Sequence, residues 1–314
     1  MKLAVLFWFY KDISICKNRL EFLRHYNPEA CIYGLYGGNE EDFSKFEQEL
    51  SPFLDDLYPF TKTKDPYWKW INGDLMINDW YCNRGHSLDW DTIFVATWDL
   101  LVFGNISNLF PKLKKNEILL GGVRPLEKVE SHWWWVQPKA QDDYKKYIEF
   151  KEFIQNKFNH NVPILVFHNI VTCFPRLFLD QYSKIDQPEL GTVEYRLPTY
   201  VNLFKIPLYK TNKFESWWAC APNAKKVPWT KRILIPGPTF SISIIVILYN
   251  LFRKNGGRIF HPFLYIFPNE PKNIIPFLFN QQRLLDLKQH QINVEVFLIN
   301  TSTKIKNFLK RGGH

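Results

Sequence analysis

At 314 residues, 46% of them hydrophobic and 17% aromatic, the chain can bury a substantial core, and a disordered polypeptide is excluded. Its five cysteines (Cys16, Cys31, Cys82, Cys173 and Cys220) form no C-x-x-C pair, which argues against a structural zinc site and a disulfide framework and fits a reducing compartment. A net charge of +9 reads as a solvated basic face or as a match for an anionic partner such as a diphosphate or a membrane surface, and the lack of a zinc-finger or RNA-binding signature sets nucleic acid aside.

The first hundred residues alternate strand and helix patterns. Leu3–Tyr10 is a bulky apolar run without a small-residue cleavage site, so it reads as a buried strand rather than a signal peptide. Asp12 or Ser14 can cap a helix whose stripe is Cys16, Leu20 and Leu23, ending at Asn27-Pro28. A strand over Ala30–Tyr36, a helix over Glu41–Leu50, a strand over Asp56–Phe60 and a helix over Trp68–Cys82 follow. Thr92–Thr97 is apolar enough to be buried on both faces. Such alternation implies an α/β fold, a mainly parallel sheet flanked by helices.

The middle is less regular. Strands are expected at Glu117–Val123 and Ile164–Phe167, and helices at Gln141–Phe158, Pro175–Lys184 and Val193–Phe204, with Pro198 early in the last or kinking it. From Lys205 to Arg258 ten Lys or Arg face one acid, Glu215. That stretch also holds Trp217-Trp218, Trp229 and the apolar helix Phe240–Lys254, which is too short and too polar for a bilayer span. A helix over Asn273–His290, a strand over Val294–Ile299 and a basic tail end the chain. No segment reads as transmembrane, so the protein is expected to be soluble and cytoplasmic. The basic excess leaves open peripheral contact with an anionic membrane.

Ligands of open α/β sheets bind outside the carboxyl ends of strands. The strand Thr92–Thr97 runs there into Trp98-Asp99, where a carboxylate can hold Mg²⁺ or Mn²⁺ against diphosphate oxygens, or simply cap the next turn. The literal D-x-D at Asp89-Trp90-Asp91 precedes that strand and belongs to the opposite edge. Asp74, Asn78 and Tyr81 share one helix face, and Asp74 and Arg84 are candidates for ribose hydroxyls or diphosphate. Glu194, in the first turn after Gly191-Thr192, is either a general base or a complement to the helix dipole. His261 follows Gly256-Gly257 beside Arg258, where neutral imidazole suits Mn²⁺ or diphosphate. Trp133-Trp134-Trp135, Trp217-Trp218 and Trp229 offer flat faces for sugar rings, or for a membrane or protein.

Over residues 1–262 this order of motifs resembles the GT-A glycosyltransferases: "IFVATWDLLV" stands at their acidic strand end, "GTVEYRLPTY" at their downstream acidic helix start and "GGRIFHPF" at their late His. The resemblance implies a Rossmann-type GT-A-like domain at 1–262 and a C-terminal α/β extension with a basic tail at 263–314. It implies a nucleotide-sugar donor held by Phe9, Tyr10, Asp74, Arg84, Trp98, Asp99 and Arg258. It further implies Mn²⁺ or Mg²⁺ on Asp99 and His261, Glu194 as the base, and a glycan or lipid-linked acceptor. Thr97 stands where the family's first Asp would be. A nucleotidyltransferase of related fold would need a Gly-rich basic loop after the first strand, and "FWFYKDISICKNR" has no glycine. A non-catalytic glycan- or membrane-binding protein predicts that Asp99, Glu194 and His261 are dispersed.

Overall fold

The computed structural model describes residues 1–158, 162–214 and 241–268. The chain divides into units Met1–Ile266 and Phe267–His314. The expected C-terminal helix, strand and basic tail lie outside the described residues, as do Trp217, Trp218 and Trp229.

Strand β1 (Leu3–Phe9) leads through three residues into helix α1 (Ile13–Tyr26). Asp12 occupies the N-cap position with φ 64°, but its side chain makes no capping bond, so neither expected cap operates as proposed. Strand β2 (Ile32–Tyr36), helix α2 (Phe43–Leu50) and strand β3 (Asp56–Pro59) complete the first half of the sheet.

The expected helix over 68–82 is two helices, α3 (Pro66–Ile71) and α4 (Gly73–Asn83), broken at Asn72. Just past the break, Gly73 lies against the Trp8 indole, where an added Cβ would stand 2.5 Å from the ring.

Strand β4 (Thr92–Thr97) precedes β5 (Leu101–Val102), α5 (Ile106–Leu109), β6 (Leu119–Leu120) and β7 (Arg124–Pro125). Then come α6 (Asp142–Lys157), β8 (Leu165–Val166), β9 (Thr172–Pro175), α7 (Arg176–Tyr182) and α8 (Val193–Leu203). Pro198 lies inside α8. The last described elements are α9 (Ile244–Phe252), capped by Ser243, and β10 (Ile259–Phe260).

Six strands form the main sheet in the order β3-β2-β1-β4-β9-β6. β1 pairs in parallel with β2 and β4, and β2 with β3. β9 is antiparallel to both β4 and β6, so β6 again runs with β4. The fold is therefore α/β, with a mixed, mainly parallel sheet covered by helices.

Alternation along β1 divides the core. Ala4 and Leu6 face the cluster that contains α4, α6, α7 and α8 residues, while Val5, Phe7 and Phe9 face that of α1 and α2. The first residue of β9, Thr172, lies opposite Val95, near the carboxyl end of β4. The loop before β9 consequently joins the carboxyl ends of the parallel strands at one edge.

Candidate functional site

Asp99 leaves the sheet at that edge. The Trp98 amide donates to the Trp8 carbonyl at 2.9 Å, extending the β1–β4 ladder past Thr97. His261 comes to the same place because β10 pairs antiparallel with β5, Ile259 opposite Val102 and Phe260 opposite Leu101. The Phe263 amide donates to the Asp99 carbonyl at 2.8 Å and completes the clamp. His261 Nε2 thereby lies 3.2 Å from Asp99 Oδ2.

Burial acts to raise the Asp99 pKa, but the charge and hydrogen bond of His261, the nearby Thr97 hydroxyl and the Asp99 amide outweigh it. The carboxyl is held below its ordinary value. His261 Nδ1 is buried without a hydrogen-bond partner.

Tyr10 and Trp98 share this edge. Tyr10 is 43% exposed and meets the buried Trp98 ring edge-on at 5.7 Å, with the Lys11 ammonium 4.7 Å above the Trp98 ring.

Glu194 opens α8. Its Oε2 accepts from Trp135 Nε1 at 2.6 Å and its Oε1 from the Asn169 amide at 3.2 Å. Because Asn169 stands in the loop before β9, Glu194 faces the same edge as Asp99. Burial dominates its electrostatics and raises its pKa to about 7, against the opposing Asn169 and Trp135 bonds. His168 Nδ1 lies 3.9 Å from Glu194 Oε1. Burial, then the charges of Arg124 and His261, lower the His168 pKa to about 4. His168 is therefore neutral at pH 7, and its approach to Glu194 is not an ion pair.

Four residues expected at the donor are placed elsewhere. Phe9 is wholly buried between Phe7, Tyr36 and Phe46, because its position in β1 points it under the sheet toward α1 and α2. Asp74 sits in the core, where Arg196 reaches its Oδ1 at 2.5 Å and its Oδ2 at 2.9 Å; Tyr182 also donates to it. Arg84, at the end of α4, pairs with Asp56 at 2.6 Å, and Asp56 begins β3, so Arg84 belongs to the amino edge. Arg258 turns back on α9 and donates to the carbonyls of Asn250 and Leu251 at 2.6 and 3.1 Å, capping the helix end. Asp89 and Asp91 lie at the amino edge, as expected, bound to Lys2 and Lys115.

Arg196 does not tie up Glu194, because Asp74 holds it. Of the tryptophan triplet, Trp133 and Trp135 are buried and Trp134 is 51% exposed.

Two residues near Asp99 and Glu194 were not singled out from sequence. Arg19 is fully buried, donates to the carbonyls of Phe263 and Tyr265 at 2.7 Å, and has its pKa lowered by burial to about 9 against the attraction of Asp99. It stands on the Cys16–Leu20–Leu23 stripe, where an arginine is the readable anomaly. His168 precedes a four-residue strand whose pattern is too short to announce itself.

Among the described residues no group of three or more His, Cys, Asp or Glu is placed to hold a metal ion, and no helix is long and apolar enough to cross a membrane.

No protein-family model and no curated protein matches the sequence. Solved structures do. A cytidylyltransferase from Leptospira borgpetersenii serovar Hardjo-bovis is 14% identical, with a TM-score of 0.39 over 84% of this chain and 99% of that one. A galactosyltransferase, LgtC, in complex with donor and acceptor sugar analogues, is 12% identical, with a TM-score of 0.42 over 85% and 88%. Neither likeness, at such scores, identifies the reaction; the chain itself shows an α/β fold that gathers Asp99, His261, His168 and Glu194 at the carboxyl edge of its sheet.

Proposed function

We propose that this edge binds a nucleotide-diphosphate sugar and that the protein is a GT-A-like glycosyltransferase. The observation that carries the proposal is the convergence of Asp99 with His261, and of Glu194 with the loop that precedes β9, at one end of the sheet. A non-catalytic protein has no need to bring these groups together. The three-residue β1–α1 connection, without glycine, offers no phosphate loop of the nucleotidyltransferase kind.

In the transfer, the acceptor hydroxyl forms a bond to the anomeric carbon as the bond from that carbon to the diphosphate breaks. The electron pair leaves with the diphosphate. The hydroxyl proton goes to the Glu194 carboxylate, whose pKa of about 7 suits a base working near neutrality. Trp135 Nε1 and the Asn169 amide fix the direction of the carboxylate, so it is presented without reorganisation. Tyr10 offers an exposed aromatic surface for the donor, backed by the buried Trp98 ring.

One carboxylate and one imidazole make only part of a site for Mg²⁺ or Mn²⁺, which takes about six ligands. Their chemistry fits an ion whose remaining ligands are diphosphate oxygens and water. Asp99 and His261 would hold it, and it would supply charge neutralisation on the leaving diphosphate.

Thermal-shift titration with nucleoside diphosphates, with and without Mn²⁺, tests the proposal. A nucleotide-dependent rise in Tm is expected in the wild type and its loss in Asp99→Asn, which should keep the unliganded Tm. A collapsed Tm in that variant would make Asp99 structural, and the lack of any nucleotide response would sink the transferase.

Peripheral contact with an anionic membrane has its own support. Ile245, Tyr249 and Phe252 are 47, 42 and 87% exposed and share one face of α9, with Arg253 and Lys254 following. Phe252→Asp should reduce co-sedimentation with phosphatidylserine vesicles several-fold; unchanged binding would remove α9 from any membrane role.

A further inference from the structure

Trp70 is 61% exposed, unusual for a residue type that is mostly covered, and its position is not that of a frayed end. It belongs to α3, which is fixed on several sides. Asp65 caps the helix by accepting from the Tyr67 amide at 2.9 Å. Trp68 stacks on Phe60 at 5.7 Å and 11°. Lys69 reaches inward to the carbonyls of Gly37 and Gly38 at 3.0 and 3.1 Å. Tyr67 donates to Asp143 on α6. The helix is thus held while Trp70, and less so Tyr67, is turned outward.

What lies beside Trp70 gives it meaning. Its ring packs against Trp135 with centroids 5.1 Å apart at 51°, and against Tyr67 at 6.0 Å. Trp135 spends its indole N–H on Glu194. A single buried indole therefore separates the exposed aromatic face from the carboxylate. The rim is polar: Asp143 and Lys146 lie 3.9 Å apart, and the Lys146 ammonium sits 4.7 Å over the Tyr67 ring.

We propose that Trp70, braced by Trp135 and Tyr67, is the stacking platform for a pyranose ring of a saccharide acceptor. The proposal rests on the reading of Glu194 as the base and gives the acceptor its chemical class. A pyranose presents a flat C–H face to an indole and hydroxyls at its edge, which the Asp143–Lys146 rim can meet. A lipid tail has no use for that rim. Stacked there, the ring would lie one indole away from Glu194 and anchor the acceptor, while an adjoining sugar presents its hydroxyl to the carboxylate.

Saturation-transfer NMR and tryptophan fluorescence with maltotriose, lactose and chitotriose, used singly on the full chain, provide the test. At least one should bind the wild type with a dissociation constant on the order of millimolar. Trp70→Ala should weaken it at least about tenfold, Trp70→Phe should restore part of it, and Glu194→Gln should leave it intact. The nucleotide-diphosphate thermal shift of Trp70→Ala should equal that of the wild type, which also shows that the variant is folded.

Binding of none of the three saccharides would overturn the platform. So would undiminished binding by Trp70→Ala, or a Trp70→Ala defect confined to phosphatidylserine vesicles. Saccharide binding that depends on Trp70, in a protein that takes no nucleotide, would leave the platform standing and bring down the transferase alone.

Discussion

The two ends of the sheet use the same residue types in opposite ways. At the amino edge, Asp56, Asp89 and Asp91 are matched one for one with Arg84, Lys2 and Lys115, in pairs whose basic partners are largely exposed. Solvent screens such pairs, and they add little to stability. At the carboxyl edge, Asp99 and Glu194 are largely covered, each side chain 18% exposed, and the side chains found against them are imidazoles and an indole. Burial raises the Glu194 pKa, whereas the Asp99 carboxyl stays low only because His261 and its other partners outweigh desolvation. Acids at one end are neutralised and cheap; at the other, ionised Glu194 is held at a cost to stability while Asp99 is favoured by its partners.

Glu194→Gln tests the costly end most sharply. Turnover should fall by about 10²–10⁴-fold while nucleotide binding holds. Wild-type activity should rise with pH through about 7, as the carboxyl loses its proton. Stability should run the other way. The folded-state pKa is raised from an ordinary 4.5 to about 7, so the unfolded chain ionises first, and the native state loses stability as pH rises across that window. Glutamine cannot ionise, so the Tm of the variant should gain on the wild type from pH 4.5 to above 7. A pH-independent gap would mean that Glu194 is not desolvated, and normal turnover would reduce it to a helix-dipole complement.

A buried acid need not be functional, and Asp74 supplies the contrast. Asp74→Asn strips Arg196 of its ionic partner inside the core and should cost about 3–5 kcal/mol by denaturant unfolding. Its loss should appear in stability rather than in nucleotide affinity of the folded fraction. A stable Asp74→Asn protein with impaired nucleotide binding would return Asp74 to the site. The smallest effect belongs to the amino edge: Arg84→Ala should leave Tm and activity unchanged within error. A clear loss of nucleotide binding there would break the division between the two edges.

Local pattern placed most of the elements. β4 was legible to the residue, and β1, α1 and α6 nearly so, because their apolar runs or stripes are long enough to carry a period. β9 was not, since four residues with a proline at the end give no period, yet it is the strand whose antiparallel entry brings His168 and Asn169 to the site. The break at Asn72 was equally hidden, since Gly73 there meets the Trp8 indole, a residue distant in sequence.

The sequence by itself determined that Asp99 ends a buried strand, that Glu194 opens a helix and that Asp89-Trp90-Asp91 belongs to the other edge, for these follow from neighbours along the chain. Tertiary structure decided which charges meet. Arg196 was as close in sequence to Glu194 as any cation, and α8 instead turns it into the core toward Asp74. Phe9 and Arg258 stand at plausible positions for a ligand, but the sheet buries the one and α9 occupies the other. Asp99 and His261 come together only because two-residue strands, β5 and β10, pair across the fold. Local periodicity reports which side of an element is apolar; it does not report which distant polar group will lie opposite, and the chemistry of this edge depends on that.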